Sequence, residues 1–213
     1  GGGGTPKPIP TYKATVSGSG ISESTLSVTV NADAGSAEVG LGASAEKLFN
    51  SEKTTVVTVP PVSGVNAYTL NMLAAALDGS QEEGSLVFAT AAGSITIPSD
   101  MLTGAAGISG SKAAISIGCG DKQKLPEPVK SAIGDRPLIQ LTLSIDGKQT
   151  QWSNPAAPVT VSIPYMPTAE ELANPQSIVV WYIDGSGNVV TVPNGCYDAA
   201  TGLVTFSTTH FSD

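Results

Sequence analysis

Apolar and polar residues alternate in short runs, and most of these runs end at a turn rich in glycine, proline or aspartate. The clearest run covers residues 138–145, leads into Asp146-Gly147 and returns through residues 148–152. Alternation with a period of two is typical of half-buried strands, and Asp-Gly between such runs indicates a two-residue hairpin. Similar runs occur at residues 12–16, 26–30, 56–59, 86–88, 95–97, 113–117, 159–163, 178–183, 188–192, 203–206 and 209–211. The chain is therefore expected to fold from many short strands.

The composition also favours strands over helices. The 213 residues include 24 Gly and 15 Pro, and only 13% of them are charged. Short helical pieces are predicted at residues 43–50, 73–77, 128–133 and 168–173. None is long enough for a regular series of crossovers between parallel strands. We expect an all-β, antiparallel β-sandwich, built as two packed sandwich-like subdomains with short helical turns.

The chain is predicted to have three segments. Residues 1–11 are rich in Gly and Pro and lack apolar periodicity, which indicates a linker. A Gly-rich stretch before residue 110 suggests a boundary, with an N-terminal β subdomain at residues 12–108 and a C-terminal β-sandwich subdomain at residues 109–213. The last strand of the second subdomain is expected either to be truncated or to be completed elsewhere. The polar segment 118–137 is either a second boundary or one long loop within a sheet.

The charge balance and the length of the apolar runs argue against nucleic-acid binding and against membrane insertion. Ten basic and 18 acidic residues give a net charge of −8, with no basic patch. Such a surface repels phosphate backbones, so nucleic-acid binding is not expected. No apolar run approaches the roughly 20 residues that span a bilayer, so membrane insertion is not expected either.

The counts of histidine and cysteine narrow the chemistry further. His210 is the single histidine, so a zinc site with several histidines cannot be built and any catalytic triad with a histidine base must use it. Cys119 and Cys196 form either a disulfide, as in a secreted protein, or two free thiols that behave as small core residues.

One turn resembles a calcium loop. Asp184, Ser186 and Asn188 carry oxygen side chains at alternate positions, but the glutamate that closes such loops is missing. The alternative is a hairpin turn in which Gly and Asn adopt positive φ angles. Apart from Ca²⁺ at this turn, no cofactor is expected.

Aromatic residues make up only 5% of the chain. Tyr182, Trp152 and Tyr165 are the candidates for stacking on a sugar. Trp181 and Tyr182 are adjacent on a predicted strand and so face opposite sides. Because residues 178–183 are apolar on both faces, we expect a central strand with Trp181 buried and Tyr182 more exposed.

His210-Phe211-Ser212 is the most specific chemical motif. The Ser212 hydroxyl oxygen can attack the carbonyl carbon of Phe211, which moves the acyl group from nitrogen to oxygen, and water then cleaves the ester. His210 is placed to take the serine proton or to polarise the carbonyl. The alternative is an ordinary strand with Phe211 pointing inward.

Two parts of the chain resemble known families. Residues 136–165, RPLIQLTLSIDGKQTQWSNPAAPVTVSIPY, are similar to the β-sandwich domain of ankyrins, zona-occludens proteins and netrin receptors, and residues 93–98, GSITIP, resemble its opening strand. Some members of that family cleave themselves between the Phe and Ser of His-Phe-Ser. The resemblance therefore implies self-cleavage between Phe211 and Ser212, with His210 assisting.

The second resemblance concerns residues 177–195, SIVVWYIDGSGNVVTVPNG, and the following ATGLVTFSTTHFSD. These stretches are similar to modules of large secreted Firmicute proteins that often precede S-layer-homology repeats. The resemblance implies an extracellular, cell-wall-associated location, with partners among other domains of the same surface protein and in cell-wall or plant polysaccharide. We expect a non-catalytic scaffold, spacer or docking module; a self-cleaving module and a carbohydrate-binding module are the alternatives.

Overall fold

The structure is a computed structural model that describes residues 11–18, 21–41, 54–79, 84–105 and 110–211. Within these ranges the first eight strands are β1 (Tyr12–Gly18), β2 (Ile21–Asn31), β3 (Ser36–Gly40), β4 (Thr54–Thr58), β5 (Ala67–Leu73), β6 (Ser85–Thr90), β7 (Gly93–Pro98) and β8 (Lys112–Cys119). Nine more follow: β9 (Ile139–Ile145), β10 (Lys148–Thr150), β11 (Trp152–Ser153), β12 (Val159–Pro164), β13 (Val180–Ile183), β14 (Val189–Val192), β15 (Cys196–Asp198), β16 (Leu203–Thr208) and β17 (His210–Phe211).

Helical structure in the described ranges is short, as predicted. The α-helices are α1 (Glu127–Ile133) and α2 (Ala169–Ala173), and 3₁₀ turns lie at Ala74–Leu77, Lys122–Lys124 and Pro175–Ser177. Thr168 caps α2, and its hydroxyl accepts a hydrogen bond from the backbone N–H of Glu171. The helix predicted at residues 43–50 lies outside the described residues.

Thirteen strands form one sheet in the order β10-β9-β8-β5-β3-β2-β1-β4-β6-β7-β12-β16-β15. Among the described strands, the pairs β3–β5 and β4–β6 are parallel and the others antiparallel. Two small antiparallel ribbons, β11–β17 and β13–β14, stand outside this sheet. The prediction of an all-β, sandwich-like fold is confirmed, and the two parallel pairs are a feature that the local pattern did not indicate.

The β9–β10 hairpin forms where the sequence predicted it. Asp146 and Gly147 have φ angles of 50° and 82°. Two consecutive positive φ angles are what a tight type I′ turn requires, and this turn matches the twist of the strands that it joins. Strand register across the turn follows directly, with Ile145 opposite Lys148.

The sheet curls over a shared core. β7 and β8 are separated by six strands in the sheet order, yet a Cβ placed on Gly93 of β7 would lie 3.0 Å from Cδ1 of Ile117 on β8. The core runs from Ala14 on β1 to Phe211 on β17. The two inner surfaces therefore face each other, as the layers of a sandwich do.

Strands on the two sides of the predicted subdomain boundary pair directly. β5 pairs with β8, and β7 pairs with β12. The division into residues 12–108 and 109–213 stays a prediction, but both segments contribute to one sheet. Segment 118–137 contains α1 and connects β8 to β9, which are neighbours, so it is a loop within that sheet.

Gly93 is expected to be intolerant of a side chain. Its φ of +147° is rarely adopted by other residues, and an added Cβ would lie 2.9 Å from the carbonyl oxygen of Ser162. We expect Gly93→Ala to lower the free energy of unfolding by about 1–3 kcal/mol, measured by guanidinium denaturation. Gly40→Ala is the control, because nothing lies within 4 Å of a Cβ there. Equal midpoints for the two variants would contradict this packing.

Candidate functional site

The β13–β14 ribbon carries the most exposed aromatic surface of the described chain. Trp181 is 40% exposed, whereas Tyr182 is half-buried. The prediction of a central strand with Trp181 inside is therefore wrong. The strand pairs only with β14, and its Trp181 face is open to solvent although both faces are apolar in sequence.

Contacts at the ribbon's inner face and at its tip hold it against the rest of the protein. The Tyr182 ring meets the His210 ring edge-on, with centroids 4.7 Å apart and planes at 73°. At the tip, Gly187 approaches Pro126 so closely that a Cβ on the glycine would lie 2.6 Å from Cγ of the proline. The ribbon is thus supported by β17 and by the segment that precedes α1.

A half-open cleft of about 960 Å³ separates the ribbon from the sheet. Its lining is mainly apolar and includes Ile139, Leu141, Phe206 and Tyr182. Polar groups are also present, among them Arg136, Glu171 and His210. An apolar cleft with a few polar groups is the usual composition of a ligand site.

His210 and Phe211 point in opposite directions from β17. Phe211 is 5% exposed and packs on Trp152 with ring centroids 4.8 Å apart, which confirms the prediction that it is buried. His210 is exposed, and its carbonyl oxygen accepts a hydrogen bond from the Thr208 hydroxyl. Ser212 lies outside the described residues, so self-cleavage at the Phe211–Ser212 bond stays a prediction.

Trp152 is a core residue, which corrects its predicted role as a sugar platform. Its ring is 1% exposed, and Nε1 donates a hydrogen bond of 2.8 Å to the carbonyl oxygen of Met101. Both faces and the polar atom are therefore used inside the protein. Trp152 therefore cannot stack on a ligand, and it contributes to a binding site only indirectly, by packing on Phe211 of β17.

Asn154 forms a buried polar junction that sequence reasoning missed. Its Nδ2 donates to the carbonyl oxygens of Met101 and Thr103 at 3.0 and 2.9 Å, and to that of Asp100 at 3.4 Å. Its Oδ1 accepts from the backbone N–H of Ala156. No local pattern indicated this role, because the partner carbonyls are more than fifty residues away in the sequence.

Tyr165 is held against helix α2 by its hydroxyl group, and sugar stacking on its ring stays a prediction. Its hydroxyl donates to the two carboxylate oxygens of Glu171 at 2.8 and 2.7 Å, and its ring meets Tyr197 edge-on at 6.1 Å. Burial raises the pKa of Tyr165, and the Glu171 carboxylate raises it further. The Arg136 guanidinium Nε lies 3.9 Å from the same carboxylate.

Glu171 is expected to make stability depend on pH. The backbone N–H of Thr168, followed by the Tyr165 hydroxyl, holds the pKa of Glu171 below its usual value. A carboxylate with a lowered pKa in the folded state stabilises the fold above its unfolded pKa, and that contribution disappears as pH falls through the folded pKa. Because an unfolded glutamate titrates at about 4.3, the loss should occur below about pH 4.

The corresponding variant is Glu171→Gln. Guanidinium midpoints should be lower than those of the parent at pH 7, and the difference should shrink at pH 3. Glu170→Gln removes the same charge from an exposed neighbour in the same helical turn and serves as the control. The same pH dependence in both variants would show that the Tyr165–Glu171 contact does not contribute to the pH dependence of stability.

Both carboxylate oxygens of Asp184 accept hydrogen bonds from residues of the same turn. Asp184 Oδ1 accepts from the backbone N–H groups of Ser186 and Asn188, both at 2.9 Å, and Oδ2 accepts from Asn188 Nδ2 at 3.0 Å. These bonds, chiefly those from Asn188, hold the pKa of Asp184 below its usual value. A hairpin turn joins β13 to β14 as predicted, with Gly187 at a φ of 83°, but Asn188 does not adopt the predicted positive φ. Ca²⁺ binding at this turn stays a prediction. The described ranges contain no group of three or more His, Cys, Asp or Glu side chains able to hold a metal.

The two cysteines are free and exposed. Cys119 ends β8 opposite Ile139, and Cys196 lies on the edge strand β15 opposite Thr205. Each thiol thus belongs to a different pair of strands, and the disulfide that the sequence suggested is not formed. The alternative is confirmed in that both thiols are free, but it is wrong in placing them in the core, because both are exposed.

Comparisons with known proteins found no match among family models, curated proteins or solved structures. As for membranes, neither helix in the described ranges has the length and apolar character needed to cross one.

Proposed function

We propose that the chain is a non-catalytic module that spaces and docks neighbouring domains of an extracellular, cell-wall-associated bacterial surface protein. The observation that carries this proposal is the continuity of the thirteen-stranded sheet. Ala14 on the first described strand and Phe211 on the last belong to one core. A sheet and core shared along the chain make a stiff connector, because relative motion of its parts would break ladder hydrogen bonds.

The edges of the sheet support the same role. The two edge strands, β10 and β15, have only three residues each. Short edges limit pairing with other chains, a useful property in a module that is displayed beside many copies of itself.

The spacing role is tested by replacing the module in its surface protein with a Gly/Ser linker of equal length. Donor and acceptor dyes on the flanking domains report their separation in single molecules. With the module we expect one narrow distribution. A linker of 213 residues should give a broad distribution, with a root-mean-square span of about 80 Å. A distribution as broad with the module as with the linker would contradict the spacing role.

A second candidate is self-processing at the Phe211–Ser212 bond. It is favoured by the way in which β17 is held: Phe211 lies opposite Trp152 in the β11–β17 ribbon and its ring is buried. A fixed residue on the N-terminal side of a bond is one of the two anchors that strain requires. The Ser212 hydroxyl would attack the Phe211 carbonyl, His210 would pass the proton to the departing amide nitrogen, and water would release a Phe211 carboxylate.

Measuring the intact mass of the protein shows whether the Phe211–Ser212 bond is cleaved. A chain extended beyond Asp213 should give two fragments, and its Ser212→Ala variant should give one intact species. A single intact species from both chains after days at raised temperature would exclude self-processing. The spacing test above does not depend on this result.

A further inference from the structure

We propose that the outward face of the β13–β14 ribbon binds a neutral polysaccharide, with Trp181 as the ring on which a sugar stacks. This site rests on the docking role proposed above and gives that role a ligand class. It replaces Trp152, Tyr165 and Tyr182 as the stacking residue.

Strand register defines the face. Side chains directly opposite each other in an antiparallel pair lie on the same side, and residues two apart on one strand do as well. Trp181 lies opposite Thr191, and Ile183 lies opposite Val189. These four side chains therefore share one side of the ribbon. Tyr182 and Val190 lie on the other side, where Tyr182 contacts His210 and Val190 is 58% exposed.

This face is apolar and in contact with solvent. Trp181 and Val189 are 40% and 38% exposed, and Val179, two residues before Trp181, is 52% exposed. None of the side chains on this face is charged. An indole ring among aliphatic groups suits the C–H face of a pyranose, while the indole N–H and the Thr191 hydroxyl can bond to sugar hydroxyls.

The ring is also presented on a fixed support. The Tyr182–His210 contact and the approach of Gly187 to Pro126 hold the ribbon from its inner side and at its tip. A platform that is already ordered loses little conformational entropy when a ligand binds. A single aromatic ring can therefore give measurable affinity.

Size and charge select the ligand. Each of the two paired strands has four residues, so the face of the ribbon measures about 13 Å by 10 Å, or about 130 Å². This area is far below the roughly 800 Å² per partner of a stable protein interface. The face is thus too small for a second copy of this chain, and it fits a short run of sugar rings. The net charge of −8 disfavours polyanions such as polygalacturonate, so the polysaccharide is neutral.

Tryptophan fluorescence gives a direct test, because Trp181 is exposed and the other tryptophan, Trp152, is buried. The full chain is titrated with cellohexaose, xylohexaose, chitohexaose and polygalacturonate, and acrylamide quenching is followed. At least one neutral hexasaccharide should shift the emission saturably and protect it from quenching. Calorimetry with that sugar should show binding at least tenfold weaker for Trp181→Ala and nearly unchanged for Trp181→Phe.

Met166→Ala is the matched control, because Met166 is 91% exposed and lies outside the ribbon. Its affinity should equal that of the parent, and circular dichroism should be the same for all variants. Equal affinity of Trp181→Ala and the parent, no saturable effect of any neutral sugar, or tighter binding of polygalacturonate would each overturn the proposal. Dimerisation that is lost in Trp181→Ala would assign the face to a second copy instead. The spacing test contains no sugar, so its result is independent of these outcomes.

Discussion

Trp152→Ala is expected to lower the free energy of unfolding by about 3–5 kcal/mol. The ring is 1% exposed and packs on Phe211, so its removal leaves a cavity between β11 and β17. Because Phe211 then loses its support, β17 should detach before the rest of the sheet unfolds. Guanidinium denaturation gives the energy, and hydrogen exchange at the Phe211 amide reports the local detachment.

Two variants calibrate this result. Trp152→Phe keeps a smaller aromatic ring and gives up the Nε1 hydrogen bond. A smaller loss than for Trp152→Ala is expected, because part of the ring volume remains and the Met101 carbonyl still accepts from Asn154. Trp181→Ala, at an exposed site, should change stability by less than about 1 kcal/mol. A Trp152→Ala protein as stable as Trp181→Ala would show that the Trp152–Phe211 contact does not hold the C-terminal strand.

Asn154→Asp is expected to cost about 3 kcal/mol at neutral pH although the two side chains have nearly the same shape. The substitution removes the donor that serves the Met101 and Thr103 carbonyls and turns a carboxylate oxygen toward them. Asn154 is 6% exposed, so little water can compensate. The new carboxyl group should have a raised pKa, and stability should recover as pH falls and the group gains a proton that it can donate.

Asn31→Asp provides the matched control. Asn31 is exposed and uses its Oδ1 to accept from the Ala34 N–H, a role that aspartate can fill. We expect a change below about 0.5 kcal/mol at that position. Denaturation midpoints at pH 7 and pH 4 should separate the two variants. An equally small loss in Asn154→Asp would contradict the buried junction.

Local structure was predictable where the signal lies in adjacent residues. Asp146-Gly147 indicated the β9–β10 hairpin, because few other pairs accept two positive φ angles. Thr168 indicated the start of α2 in the same way, since its hydroxyl caps a free N–H group.

The long-range pairing was not predictable in the same way. Strands β3, β5 and β15 were missed because they are short or interrupted by polar residues, and their stability comes from neighbours distant in sequence. The prediction that residues 178–183 form a buried central strand was wrong for a related reason. The apolar run around Trp181 would suit a central strand, but only the sheet order shows that its strand has one partner. The Asn154 junction likewise depends on carbonyls far along the chain.

Spin labels on the two natural cysteines measure whether the chain is one rigid body. Cys119 and Cys196 are the only cysteines, and both are exposed. Cys119 lies on β8, near one edge of the thirteen-stranded sheet, and Cys196 lies on β15, the strand at the other edge. The continuous sheet predicts two labels per chain without a reductant and one narrow distance distribution by pulsed electron paramagnetic resonance. A broad or bimodal distribution would show that the two halves move independently, and failure to label without a reductant would show that the thiols are joined; either result would contradict the structure described above.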